Sequence, residues 1–321
     1  MARYRIFSWC AALAALALLP ALALAQDSLK LAVGAPGNWD TCIPEVGQRA
    51  GIFKKHGLTL DLLYTQGGGE TMQAVISGSV QIGIAAGTPA VMGAFAKGAP
   101  VRIFAAGTTG ASDLYWYVPA AAPIQSFKDT NGKTIGYSTN GASTHTTLLA
   151  LIKHFGVSAR PVASGASAVT LTQAMSGQID VGWASPPFGI QQLEQGQIRI
   201  IARGSDAPST RDQTVRVHIV NADALAQRKD LFERFMRAYR ESHEFLYSSH
   251  DGIKYYAQYG KVTEALAARI RDEFLPKQAL QPDRVSGIEA ITEDAIAFKI
   301  LATPLTPEQL ATLIQIPPRT N

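Results

Sequence analysis

Short apolar runs alternate along this chain with longer stretches whose apolar residues recur at helical spacing. Leu29–Gly34 is an apolar run closed by glycine and predicts a first strand. Glu45–His56 places Val46, Ala50 and Phe53 on one helical face, and Gly57 supplies the helix stop. Leu58–Tyr64 predicts a second strand, and the Gly67-Gly68-Gly69 loop leads into a helix. Gln81–Ala85 predicts a third strand, Pro89 opens a helix to about Lys97, and Val101–Gly107 predicts a fourth strand. Strands and helices alternating at this spacing imply a parallel sheet with crossover helices.

The same pattern then returns. His56-Gly57-Leu58 recurs ninety-nine positions later as Phe155-Gly156-Val157, and Ser77–Ala85 falls without a gap on Ser176–Ala184. After a two-residue deletion, Val101–Ala105 matches Ile198–Ala202. That period is far longer than the roughly 20–50 residues of a solenoid unit. It fits one whole βαβαβαβ lobe occurring twice.

The second lobe starts near Pro123, with Lys133–Tyr137 as its first strand and a helix over about Ala142–Phe155. Its last parallel strand ends near Arg203. The polar loop Gly204–Asp212 leads to Thr214–Val220, an alternating strand expected to pair with Leu114–Val118 at the hinge. Leu225–Tyr247 reads as a long helix with Phe232, Phe235, Met236, Tyr239 and Leu246 on a core-facing stripe. Two more helices are expected beyond it, one started by the Thr306-Pro307-Glu308-Gln309 capping signal. The expected fold class is therefore α/β, two doubly wound parallel-sheet lobes joined by a two-crossing hinge. The expected divisions are a leader over 1–25, lobe one over 26–120, lobe two over 121–213, and a return strand with C-terminal helices over 214–321. The hinges are expected near 118–124 and 204–214.

The N-terminus changes the picture of where the protein works. Arg3 and Arg5 precede an apolar Ala/Leu run, and Ala23-Leu24-Ala25 offers a small-x-small cleavage pattern before polar Gln26-Asp27-Ser28. An uncleaved anchor is the rival, since Ile6–Ala25 is nearly long enough to span a bilayer. Pro20 and the polar stretch favour export, with cleavage after Ala25. The leader holds two of the 29 basic residues and none of the 25 acidic ones, so its removal takes the net charge from +4 to +2. No clustered basic footprint for nucleic acid is left. Cys42 is then the one remaining cysteine, expected as a small buried hydrophobe. About 296 residues without a disulfide need two hydrophobic cores.

Enzyme chemistry finds no constellation. None of the six histidines has metal-ligand spacing with Cys, Asp or Glu, and there is no G-x-S-x-G elbow. Gly132-Lys133-Thr134 resembles the end of a phosphate loop, but Phe127 stands where that motif needs its first glycine. Glu70 and Asp113 read as solvated or capping carboxylates. No catalytic residue, metal or cofactor is expected.

What recurs instead is a small, polar helix start directly after a strand. Trp39-Asp40-Thr41, Gly69-Glu70-Thr71 and Gly87-Thr88-Pro89 follow the strands of lobe one. Ser138–Ser143, Gly165-Ala166-Ser167 and Ser185-Pro186-Pro187 follow those of lobe two. Such loops gather at the carboxyl ends of the strands, where ligands bind. Free helix N–H groups there suit anionic or strongly accepting groups. The candidate ligand-binding residues are Asn38, Trp39, Thr71, Thr88, Ser138, Asn140, Ser143, Thr144, Ser167, Ser185 and Phe188. Thr88 is the first choice for a polar contact, and Trp39 for covering an apolar or aromatic body. Taken singly, each hydroxyl also reads as a simple N-cap.

The stretch Glu45–Leu58 (EVGQRAGIFKKHGL) resembles the early helix and strand of nitrate/sulfonate/taurine-type periplasmic binding proteins. Gly78–Gly83 followed by Gly87-Thr88-Pro89-Ala90, and Asp129–Gly136 where the second lobe begins, are similar to the same family. The resemblance spans nearly all of the mature chain. It implies a type II periplasmic binding fold, hinge closure over a small-molecule solute, and delivery to an inner-membrane ABC permease with its ATPase. A relative that makes a thiamine pyrimidine precursor carries a cysteine-rich motif, which this sequence lacks.

The expected protein is a periplasmic, monomeric solute receptor. Its solute is expected to be organic, with an anionic end such as sulfonate or carboxylate and an apolar or aromatic body. A neutral heteroaromatic such as a pyrimidine is the rival. No Arg or Lys lies in the cleft loops as read here, with Arg203 and Arg211 at most reaching in from the hinge side. A sensor subunit or an enzyme on the same fold are the other function classes.

Overall fold

The computed structural model describes residues 26–319, so the expected leader and its cleavage site lie outside the described residues. Ten strands are present among them. In chain order they are β1 (Asp27–Val33), β2 (Leu58–Tyr64), β3 (Ile82–Gly87), β4 (Val101–Thr109) and β5 (Tyr115–Pro119). There follow β6 (Thr134–Tyr137), β7 (Arg160–Ala163), β8 (Gly182–Ala184), β9 (Ile198–Arg203) and β10 (Thr214–Asn221). The first sheet has the order β2-β1-β3-β10-β4, with β1 parallel to β2 and β3. The second contains β8-β5-β9 and the parallel pair β6-β7, joined by a parallel bridge between Ile135 and Val181. The order β7-β6-β8-β5-β9 therefore repeats the first sheet strand for strand, as the ninety-nine-residue repeat requires.

One expected pairing is corrected. β10 does not meet β5 at a hinge. It runs antiparallel between β3 and β4 in the first sheet, while β5 runs antiparallel between β8 and β9 in the second. Each lobe thus receives its antiparallel strand from the segment that has just crossed over. Backbone N–H and C=O groups pair with any open strand edge, so only the assembled sheets distinguish the partners of β5 and β10. The first crossing accordingly moves from 118–124 to 110–114, between β4 and β5. The second lies at 204–213, close to its expected position.

The helices follow their local signals with two interruptions. Glu45–His56 is split into Ile43–Arg49 and Ile52–Lys55, because Gly51 takes φ +74° and breaks the ladder. Gly57 then ends the second piece at φ +71°. The long C-terminal helix begins as two pieces, Ala222–Gln227 and Lys229–Ser248, and the stripe Phe232, Phe235, Met236, Tyr239 and Leu246 is buried as expected. Among the described residues four α-helices follow it, not two: His250–Gly260, Glu264–Arg269, Ile288–Ala297 and Pro307–Leu313. The last carries the capping box at Thr306 and Gln309.

These helices return to lobe one. Phe232, Phe235 and Tyr239 pack with Phe53, Phe104 and Trp39 in one core, which also holds Cys42. Burial pushes the Cys42 thiol well above its ordinary range. A second core lies under the other face of the first sheet, around Ile103, Ile219, Ile291 and Leu313. The lobe-two core centres on Trp116, Phe127, Leu148 and Trp183. No described helix is long and apolar enough to cross a membrane.

Candidate functional site

The loops that leave β1, β2 and β3 face the helix starts of lobe two across a narrow cleft. Three glycines allow this approach. A Cβ on Gly69 would lie 2.0 Å from the Asn140 carbonyl oxygen, one on Gly87 2.3 Å from that of Gly141, and one on Gly67 2.7 Å from the Ser138 hydroxyl. Real side chains do not fit at such distances, so the two lobes touch through glycine backbone. The Gly69 amide also donates to Thr139 Oγ1 at 3.0 Å. The lobes stand closed.

Between them lies a cavity of about 50 Å³. A water needs roughly 10–15 Å³, so the cavity has room for a few waters. Six of the candidate residues line it: Asn38, Ser138, Ser143, Thr144, Ser167 and Ser185. The first belongs to the loop after β1. Ser138 belongs to the loop after β6, and the others belong to the helix starts Ser143–Phe155 and Ser167–Met175 and to the loop after β8. Strand-to-helix transitions at sheet ends therefore bring these hydroxyls together, as the sequence pattern implied.

Five candidates stand elsewhere, each for an identifiable reason. Thr88 is fully buried, and its hydroxyl donates to the Thr214 carbonyl on β10 at 2.5 Å, turned away from the cleft. Thr71 shares a hydrogen bond with Thr65 at 2.9 Å beneath β1 and β2. Trp39 is a core residue. Its Nε1 donates to Tyr247 at 2.9 Å, and its ring meets Tyr256 edge-on with centroids 4.3 Å apart. Asn140 is exposed and accepts from the Tyr137 hydroxyl at 2.6 Å. Phe188 packs against Gly37, and its carbonyl accepts from Tyr115. The indole at the cavity is Trp183, held by its Nε1 donating to the Gly165 carbonyl at 3.2 Å.

The sequence reading missed the charges. Arg216, on β10, is 4 % exposed and lines the cavity. Its Nε donates to Ser143 Oγ at 2.8 Å, and its Nη1 to Asp40 Oδ2 at 3.2 Å and Thr108 Oγ1 at 3.3 Å. The same Nη1 lies 2.9 Å from Asp113 Oδ2, which also accepts from Ser185 Oγ at 2.9 Å. Asp113 is 1 % exposed, so it is neither solvated nor a cap. Glu70 does cap locally, accepting from the Gln66 amide at 2.9 Å. Arg203 has its guanidinium over the Phe274 ring, and Arg211 bonds the Ser205 carbonyl. The cation of the cleft is thus Arg216. The sequence shows an arginine inside the predicted strand Thr214–Val220, but that this strand is buried throughout is decided by the fold.

Burial, first of all, and the neighbouring Asp113 raise the Asp40 carboxyl to about 6, against the pull of Arg216. Burial works against the Arg216 guanidinium, but Asp113 and Asp40 outweigh it and keep the group charged. Ala85, also on the cavity wall, has φ +64°, and its amide donates to His218 Nδ1 at 3.1 Å. That bond makes Nε2 the protonated nitrogen, which meets the Tyr239 hydroxyl at 2.6 Å. Among the described residues, no group of His, Cys, Asp and Glu is placed to hold a metal ion.

The family model described as NMT1/THI5 like matches residues 45–252, more than half of the chain. The chain belongs to the NMT1/THI5-like family. No curated protein matches it. Among solved structures it is similar to the alkanesulfonate-binding protein SsuA from Xanthomonas axonopodis pv. citri bound to MOPS. The TM-score is 0.74 at 17% identity, over 90% of this chain and 99% of that one. It is also similar to the periplasmic nitrate-binding protein NrtA from Synechocystis PCC 6803, with a TM-score of 0.67 at 15% identity over 90% and 85% of the two chains. The desulfurization enzyme DSZB shares the fold as well, with a TM-score of 0.63 at 16% identity over 91% and 97%. The periplasmic binding protein fold is therefore shown for this chain, and the same fold also serves an enzyme.

Proposed function

We propose that this protein is an exported receptor that captures a small organic solute between its lobes and delivers it to an inner-membrane ABC permease driven by an ATPase. The observation that carries the reading is the closed cleft. Glycine backbone lets the lobes meet, and a buried polar cavity remains at the junction of strand ends and helix starts. Its hydroxyls on Ser143 and Ser167 stand in the first turns of helices, where N–H groups favour an anionic or strongly accepting end such as sulfonate or carboxylate. Trp183 offers an apolar surface to the body of the solute. The fold's relatives include periplasmic binding proteins for sulfonate and nitrate, which supports transport over catalysis. We read the mature protein as a periplasmic monomer beginning at Gln26.

Mass spectrometry of protein isolated from the native cell envelope tests this. The denatured chain should have the mass of a product starting at Gln26, and the native protein should carry one additional small molecule. A retained Met1 would remove the export step. Envelope protein that carries no solute, and whose melting temperature is unmoved by sulfonates, carboxylates and pyrimidines, would remove the receptor reading.

A further inference from the structure

We infer that closing the cleft loads a proton onto Asp40, so that acid favours the closed receptor. This rests on the lobe movement of the receptor reading above and adds a control on it. Asp40 lies in the loop after β1 and Asp113 on the first crossing, and both are buried against one guanidinium, that of Arg216. Its Nη1 carries two hydrogens. Three oxygens surround that nitrogen: Asp113 Oδ2 at 2.9 Å, Asp40 Oδ2 at 3.2 Å and Thr108 Oγ1 at 3.3 Å. Nε is taken by Ser143, and Nη2 bonds neither carboxylate. Asp40 Oδ1 and Asp113 Oδ1 are both buried, and neither has a partner among the described residues. Native structures rarely leave a buried carboxylate oxygen in that condition. The cluster is short of one positive charge, and each acid is short of a donor.

A proton meets the deficit. When two carboxylates share one buried site, one of them gains affinity for a proton. Asp113 is the better served, since it lies closer to Arg216 and accepts from Ser185 Oγ at 2.9 Å. Among side chains Asp40 accepts from Arg216 alone, and burial lifts its carboxyl to about 6. No neighbouring group offsets the charge. Burial raises Cys42 in the same loop, and Tyr239, Tyr247 and Tyr256 on the helices Lys229–Ser248 and His250–Gly260, so all four stay neutral. His218, on β10 with Arg216, is also held neutral by burial. The lobe-two wall of the cavity brings Trp183 and hydroxyls but, among the described residues, no ionisable side chain.

Closure creates these conditions. Ser143 and Ser185 come from lobe two, and the lobes meet where Gly87 faces Gly141. With the lobes apart, water reaches both Oδ1 atoms, and Asp40 returns toward the ordinary carboxylate value of about 3.9. Between that value and about 6, the closed state binds more protons than the open one. The closed-to-open ratio therefore rises as pH falls through this window, by about a hundredfold in all. Above it Asp40 is ionised in both states, and the ratio is level.

Carbon-13 NMR of protein labelled at the aspartate carboxyls tests this without a ligand. The resonance that is absent from Asp40→Asn belongs to Asp40. It should titrate at about 6 in the wild-type protein. In Gly87→Ala, whose added Cβ would strike the Gly141 carbonyl and hold the lobes apart, it should titrate at least about one pH unit lower. If Gly87→Ala fails to fold, Gly69→Ala, aimed at the Asn140 carbonyl, is the second wedge. A wild-type value below about 5, or one value with and without the wedge, would overturn the proton link. The receptor reading is judged separately, by whether envelope protein carries a solute.

Discussion

Arg216 and Asp113 lie 2.9 Å apart, both almost wholly excluded from solvent, and they tie together the two crossings between the lobes. Asp113 sits on the first crossing, and Arg216 opens the strand that follows the second. Removing the cation would leave Asp113 and Asp40 buried without a counter-charge. Arg216→Met should therefore cost about 3–5 kcal/mol of stability, the scale for breaking a buried pair. Urea denaturation of the variant measures this. A loss below about 1 kcal/mol, as for an exposed pair, would contradict the burial.

The glycine contacts govern closure. Gly87 has φ −68°, so alanine is free of backbone strain there, yet its Cβ would strike the Gly141 carbonyl. Gly87→Ala should hold the lobes apart. Small-angle scattering is expected to show a larger radius for the variant than for the wild-type protein under the same conditions. An unchanged radius would mean that the contact relaxes by other means.

His218 makes the protein acid-sensitive. Burial lowers its pKa to about 3, so the folded state holds it neutral while the unfolded chain titrates near 6.5. Between these values the unfolded state binds more protons, and stability falls as pH drops from about 6.5 toward 3. Burial gives His243, lowered to about 4, the same sign. His218→Gln should flatten the slope of the urea midpoint against pH across this window. A slope identical to the wild type would show that His218 does not set it.

Thr88 distinguishes the structure from the sequence reading. Its hydroxyl satisfies the Thr214 carbonyl, so Thr88→Val should cost about 1 kcal/mol of stability. Solute affinity should stay at the wild-type value. A tenfold loss of affinity in a fully stable variant would return Thr88 to the cleft.

Local chemistry alone determined the elements and their repetition. Leu58–Tyr64 is a strand over the residues its pattern named, and Gly57 ends its helix in the left-handed region open to a residue without Cβ. The matched glycines of the ninety-nine-residue repeat announced two similar lobes, and polar helix starts placed Ser143 and Ser167 at one cavity. Tertiary structure decided what depends on partners. Backbone groups carry no address, so the pairing of β5 and β10 was settled only when each sheet offered a gap. The same step turned Arg216 inward, since a strand with neighbours on both sides and helices over both faces leaves its charge no route to water. It also separated Trp39 from Trp183. Trp39 lies in the loop after β1 and Trp183 within β8, but the C-terminal helices cover Trp39 and leave Trp183 at the cleft. Residues 229–260 supply that cover from far along the chain, and no local pattern at residue 39 records their arrival.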